Sequence, residues 1–271
     1  MSWRLITIRP SHYNEKARWA LDRFELAYDE EPWMPMLHML GTARVLLPRR
    51  GGDADRISSR LSTPVLVTED RVLADSSEIM GFASRHADDP GRSLYWSTEV
   101  VELDRRFSGQ FGADTRRVAY QHLLPDRALF KELARRSVGP AQARAFITLA
   151  PVIRKGLIAG LKIEPKAAAR SSERVLAEFA RVDEQLADGR PYLCGDRFSA
   201  ADISFASLAS LALLVQPGEG YGAWLPSFDQ VPGEYRTFAQ RLRSTRAGEF
   251  ALRMFAEERG RRVRPCMVAR A

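Results

Sequence analysis

The chain opens on a short apolar run, Arg4-Leu5-Ile6-Thr7-Ile8, whose aliphatic and β-branched content predicts a strand. Pro10 comes next, and beyond it apolar residues recur at Ala17, Ala20, Leu21 and Phe24, the spacing of one helix face. Ser11 to Asn14 therefore sit at a helix start, where unpaired N–H groups and the positive end of the helix dipole favour a nearby anion. A second run, Ser62-Thr63-Pro64-Val65-Leu66-Val67, predicts a buried strand entered through a proline. A proline in that place leaves neighbouring backbone groups free to pair with an extended peptide. Glu69-Asp70 predicts a turn into a short strand, Arg71-Val72-Leu73, after which Asp75-Ser76 opens another helix. A carboxylate and a hydroxyl at that helix start can receive the charged ends of a small zwitterion.

Past His86 the pattern changes. Asp88-Asp89-Pro90-Gly91 reads as a linker, and the remainder of the chain is almost wholly helical in period. Val100, Val101, Leu103, Phe107, Val118, Leu123 and Leu124 predict a long helix interrupted near Gly109 to Gly112. Pro125 and Pro140 divide the next segments, and Val175, Leu176, Phe179, Val182 and Leu186 mark a further amphipathic helix. The expected organisation is a mixed α/β unit over residues 1–88 and an all-helical unit over residues 92–271. Within the second, Phe198-Ser199-Ala200-Ala201-Asp202-Ile203 predicts a capping box with a hydrophobic staple, leading into a buried helix that carries Phe205, Leu208, Leu211 and Leu214.

The order strand, helix with a polar loop at its start, Thr63-Pro64-Val65-Leu66, hairpin, then Asp75-Ser76-Ser77-Glu78-Ile79 resembles the thioredoxin-like N-terminal domain of cytosolic glutathione transferases. The capping box near Ser199 is similar to the motif that opens a core helix in their all-α C-terminal domain. The resemblance covers residues 4–86 and 190–215. It implies an α/β thioredoxin-like domain followed by an all-helical one, glutathione as co-substrate, and a homodimer. Carried over onto this chain, it implies glutathione contacts at Pro64, Val65, Asp75 and Ser76, and it places the family's reactive Ser or Cys on Asn14. Leu46 to Asp55, a polar Gly-containing stretch, departs from the family pattern; Arg44 and Arg60 are the candidates left for the glycine carboxylate.

Composition narrows the field further. With 45% hydrophobic and 28% charged residues the chain has a globular balance, no apolar run reaches membrane-spanning length, and Met1-Ser2-Trp3-Arg4 lacks a signal-peptide core. A cytoplasmic protein without membrane or nucleic-acid partners is expected, because the net charge of +7 is dispersed among acidic residues and is densest only in the tail, Arg259-Gly260-Arg261-Arg262. Cys194 and Cys266 have no C-x-x-C partner, and His12, His38, His86 and His122 fit no ligand spacing, so no metal is expected.

Asn14 cannot act as nucleophile or base, since its amide does not titrate near neutrality. It can donate an N–H to a thiolate. One hydrogen bond to a charged acceptor is worth about 1.5–3 kcal/mol, roughly one to two pKa units, enough to bring a thiol near ~8.5 towards neutrality. Tyr13 is the second candidate donor, and Ser11 is balanced between helix capping and ligand contact. Tyr95, Trp96, Phe107, Phe111 and Tyr120 are candidates for an aromatic electrophile pocket. The expected function is conjugation of glutathione to a small electrophile, of use in detoxification; the alternative is a non-catalytic glutathione-binding or protein-interaction module on the same scaffold. Thiol exchange is disfavoured because no cysteine stands at the first helix start.

Overall fold

The computed structural model describes residues 2–47, 61–86 and 90–259. Asp88-Asp89, Pro48 to Asp55, Arg60, Cys266 and the tail from Gly260 lie outside them. The first unit begins with β1 (Trp3–Thr7), α1 (His12–Arg23) and β2 (Tyr28–Pro32), two parallel strands joined by the helical crossover that such a pair needs. After α2 (His38–Leu46), β3 (Val65–Val67) returns antiparallel to β1, and β4 (Val72–Leu73) completes a sheet of order β2-β1-β3-β4. α3 (Ser76–Ser84) then lies beside α1. The short β2 carries Asp29-Glu30-Glu31 and ends in Pro32, a composition confined to sheet edges, which is why no apolar pattern announces it.

The helical unit starts with α4 (Thr98–Arg106), capped by Ser97, and runs through a π-helical turn, Phe107–Phe111, into α5 (Gly112–Leu123). Gly109 leaves helical geometry in that turn (φ −81°, ψ −113°), at the interruption expected from the sequence. Three helices come next, α6 (Arg127–Ser137), α7 (Pro140–Thr148) and α8 (Ala150–Gly160), with prolines opening α7 and α8 where a missing N–H costs nothing. They bury a small core of their own around Phe130, Ala134, Phe146 and Leu157, and that core takes in Met34 from beyond β2. Gln142 fixes the junction by accepting from the Met34 N–H (2.7 Å) and donating to the Pro32 carbonyl (3.3 Å).

The main core forms around α10 (Ala200–Leu213), buried along its whole length between α1, α4, α5 and the last helix α12 (Arg246–Glu257), with α9 (Pro165–Gln185) and α11 (Gly233–Arg243) outside it. A helix buried all round needs its termini satisfied internally. The capping box does this: the Ser199 N–H donates to Asp202 (2.7 Å), the Ser199 hydroxyl accepts from the Ala201 N–H (3.2 Å), and Asp202 also receives the Leu193 N–H (2.8 Å). Burial raises the Asp202 carboxyl to about 6, against these hydrogen bonds. Cys194, in the preceding turn, is a core residue whose thiol burial pushes up to about 12. Asp202→Ala leaves two buried N–H donors unmatched and is expected to cost about 2–4 kcal/mol in urea unfolding, with Asp202→Asn recovering part of it. An unchanged midpoint in Asp202→Ala would show that the box does not hold this helix.

Candidate active site

Three segments far apart in sequence lie at one end of the sheet, since Ile6 pairs with Val65 and Leu66 with Leu73: the start of α1, the turn into β3 and the start of α3. A cis Thr63-Pro64 bond leads into β3, and Asn14 Nδ2 donates to Thr63 Oγ1 at 3.2 Å, tying α1 to that turn. Lys16 Nζ donates to Ser77 Oγ at 2.6 Å, tying α1 to α3. β4 pairs only with Leu66 and Val67, so Val65 projects past the β3–β4 ladder. At the start of α3 Asp75 caps the helix through one oxygen, Oδ1, which accepts from the N–H groups of Ser77 (2.8 Å) and Glu78 (3.2 Å); Ser76 is buried beneath it. Pro64, Val65, Asp75 and Ser76 thus come together. Arg44 lies with its guanidinium 5.9 Å from the Trp33 ring centre.

The loop residues divide differently from the expectation. Asn14 is fully buried, its amide N–H₂ is directed at Thr63, and its Oδ1 has no hydrogen-bond partner among the described residues. It faces the turn that shapes the site and not the open cleft. Tyr13 is half-buried and donates its hydroxyl to the Ser108 carbonyl at 3.0 Å, across to the helical unit. Ser11 is the N-cap of α1, half-buried, and its hydroxyl makes no capping hydrogen bond. A free hydroxyl beside the leading N–H groups of His12 and Tyr13 is the donor arrangement that an anion at a helix start requires. Asn14 is thus committed to Thr63, whereas the hydroxyl of Ser11, at the helix start, is left uncommitted.

His12 is also sealed. Its Nε2 lies 2.8 Å from the Gly112 carbonyl and so carries the proton, while Nδ1 has no partner among the described residues. Burial lowers its pKa to about 3, outweighing the carbonyl contact that would raise it, so His12 is neutral and structural. One helical turn further on, Lys16 enters a buried polar knot. Asp104 Oδ1 accepts from Lys16 Nζ (2.5 Å), Ser204 (2.6 Å) and Ser108 (3.0 Å), while Oδ2 accepts from Tyr95 (2.7 Å). Burial disfavours the Asp104 carboxylate, yet Lys16 and these donors hold its pKa below the ordinary range.

Of the five aromatic candidates for the electrophile side, Phe107 and Phe111 are core residues packed on Phe205, Tyr95 serves Asp104, and Trp96 lies under Arg197. Tyr120 borders a cavity. That cavity, about 40 Å³ in volume, is almost purely apolar and is walled by Pro35, Leu124, Phe130, Leu157, Trp224 and Tyr120 among others. Much of its wall comes from α6 to α8, whose amphipathic pattern says only that they pack and not on what. Among the described residues no group of three His, Cys, Asp or Glu side chains can hold a metal, and no helix is long and apolar enough to cross a membrane.

Residues 165–244 match the glutathione S-transferase C-terminal domain family. No curated protein matches the chain by sequence. Among solved structures, a glutathione transferase from Phanerochaete chrysosporium superposes with a TM-score of 0.59 at 17% identity, over 95% of this chain and 97% of that one. The β-etherase LigF from Sphingobium sp. strain SYK-6 gives 0.52 at 16% identity, over 93% and 99%. A glutathione S-transferase from Rhodospirillum rubrum gives 0.50 at 18% identity, over 94% and 99%. Residues 165–244 therefore resemble a glutathione S-transferase C-terminal domain, and the chain as a whole shares the fold of these solved structures.

The buried His12 carries a pH signature. Its folded pKa of about 3 lies below the ordinary 6.5, so the unfolded chain takes up a proton first as pH falls. The stability present above pH 6.5 is therefore lost as pH drops from 6.5 towards 3, at a slope approaching about 1.4 kcal/mol per pH unit for one proton. In urea titrations across that window His12→Gln, which keeps a donor for the Gly112 carbonyl, is expected to flatten the slope by one proton; a slope identical to wild type would place that proton elsewhere.

Proposed function

We propose that the chain is a glutathione transferase: it binds glutathione along Val65 and at the start of α3, ionises its thiol at the start of α1, and transfers it to a small electrophile. The observation that carries this reading is the convergence, at one end of the sheet, of the unengaged Ser11 hydroxyl, the Val65 backbone and the Asp75-Ser76 helix start. Each segment has a separate chemical part. An extended tripeptide adds to Val65 as a strand, by main-chain hydrogen bonds. Its γ-glutamyl end carries an ammonium suited to the second oxygen of Asp75 and a carboxylate suited to the N–H groups at the start of α3. Its cysteinyl sulfur then lies at the start of α1.

There the Ser11 hydroxyl donates to the sulfur, and the helix dipole adds to the preference for the anion. The thiol proton leaves to solvent. The thiolate forms a carbon–sulfur bond with the electrophilic carbon, and the leaving group departs with the electron pair of the bond it breaks. No protein nucleophile is needed, which is why neither Asn14 nor a cysteine has to stand in the cleft. The same reading carries a homodimer, a cytoplasmic location and two folding units meeting near residue 90.

The test pairs retention on immobilised glutathione with conjugation kinetics. Ser11→Ala is expected to lower kcat/KM by about tenfold to a hundredfold and to move the acid limb of the pH–rate profile up by about one to two units. Asn14→Ala, by contrast, should lower the urea midpoint and leave that limb in place. If the limb moved with Asn14→Ala and not with Ser11→Ala, the thiolate donor would be Asn14. Retention without any turnover would favour the binding module over the enzyme.

A further inference from the structure

α5 presents a continuous stripe towards the α1 loop at four-residue intervals: Gly112, Arg116, Tyr120 and, at the helix end, Leu124. The first member touches the loop, since the Gly112 carbonyl meets His12 and a Cβ at that glycine would come within 2.5 Å of the Tyr13 hydroxyl. The last two line the apolar cavity. Arg116 stands between them, one turn from each. Its guanidinium lies 5.9 Å from the centre of the Tyr13 ring. Its charge also reaches His12, Tyr13 and Tyr120 together, although burial dominates the shift of all three, so it sits among them.

Three neighbouring arginines are engaged. Arg117 pairs with Asp114 and Ser171, Arg174 with Asp114, and Arg106 with Glu178. Arg116 is half-buried and has neither a carboxylate nor a hydrogen-bond acceptor among the described residues. A guanidinium held over an aromatic ring keeps its in-plane donors available, and those donors match a carboxylate two at a time. Beyond it lies a cavity whose walls are apolar and aromatic, suited to a ring and offering an anion no competing partner.

We propose that Arg116 is the anion-recognising residue of the second-substrate site, so that the favoured electrophile is an aromatic carboxylate whose ring enters the Tyr120 cavity and whose carboxylate is held at Arg116. This rests on the transferase reading for its chemistry, but not for its binding. The test is a calorimetric titration of the full chain with a chloronitrobenzoate and with the matching chloronitrobenzamide, which differ in the charge alone, each paired with a conjugation assay with glutathione. Wild-type protein is expected to bind the benzoate more tightly than the amide. In Arg116→Gln that preference should fall about tenfold, the scale of one charge-assisted hydrogen bond in a half-exposed site, and Arg116→Lys should recover part of it. An equal loss for both compounds, a preference unchanged in Arg116→Gln, or no binding of either by wild type would overturn the proposal. Selective binding of the benzoate without conjugation would uphold it and remove the transferase reading instead.

Discussion

The structure depends on how the charges of α1 are neutralised. Sheet, α3 and α10 enclose this helix on all sides, yet it carries Glu15, Lys16, Arg18 and Asp22, all buried. A charge without water must find partners, and removing one partner of a buried pair leaves an uncompensated ion, a cost of about 3–5 kcal/mol. Each partner set reaches into a different part of the molecule. Arg18 joins Glu15 and Glu30 of β2, Lys16 joins Asp104 of α4, and Glu15 and Asp22 meet Arg259 beyond the last helix. The first pairing explains an otherwise unsuitable edge strand: β2 is acidic because one of its carboxylates completes the α1 arginine.

The same constraint positions the candidate site. Lys16 is clamped by Ser77, Asp104 and Ser108, and Asn14 by Thr63, so the start of α1 is held from the sheet side and from the helical side at once. Tyr13 adds a direct bond to the Ser108 carbonyl. What remains uncommitted at that end is Ser11, and across the cleft Arg116. Preorganisation of this kind favours a fixed anion site, because the surrounding dipoles do not have to reorient when the charge appears. The helices α6 to α8 then close an apolar chamber on the far side of Tyr120, anchored to the sheet unit by Gln142.

Legibility varied with the range of the interaction that decides each feature. β1, α1, β3, β4 and α3 arise from local periodicity and caps, and Ser199-Asp202 announces its helix because a capping box closes within three residues. The interruption near Gly109 is likewise local. β2 and the union of α6 to α8 with Met34 are not local: an acidic segment becomes a strand only because β1 and Arg18 receive it. For the site, the antiparallel return of β3 and β4 that sets Val65 near the start of α3 was announced by the hairpin pattern. The enclosure of Asn14 was not, since it is decided by contact with Thr63, distant in the sequence, while Ser11 keeps its hydroxyl uncommitted. Arg116 carried no signal among so many arginines, because what distinguishes it is half-burial without a partner among the described residues.

The amino-acid sequence by itself thus determined the order of elements and the helix starts, consequences of backbone hydrogen bonding over a few residues. The tertiary structure alone decided which polar side chains are spent on one another and which stay available. That choice is made by burial. Lys16, Asn14 and His12 are as polar in the chain as Ser11 and Arg116, and only their full enclosure in the fold spends the first three on internal contacts while the last two stay half-buried and uncommitted.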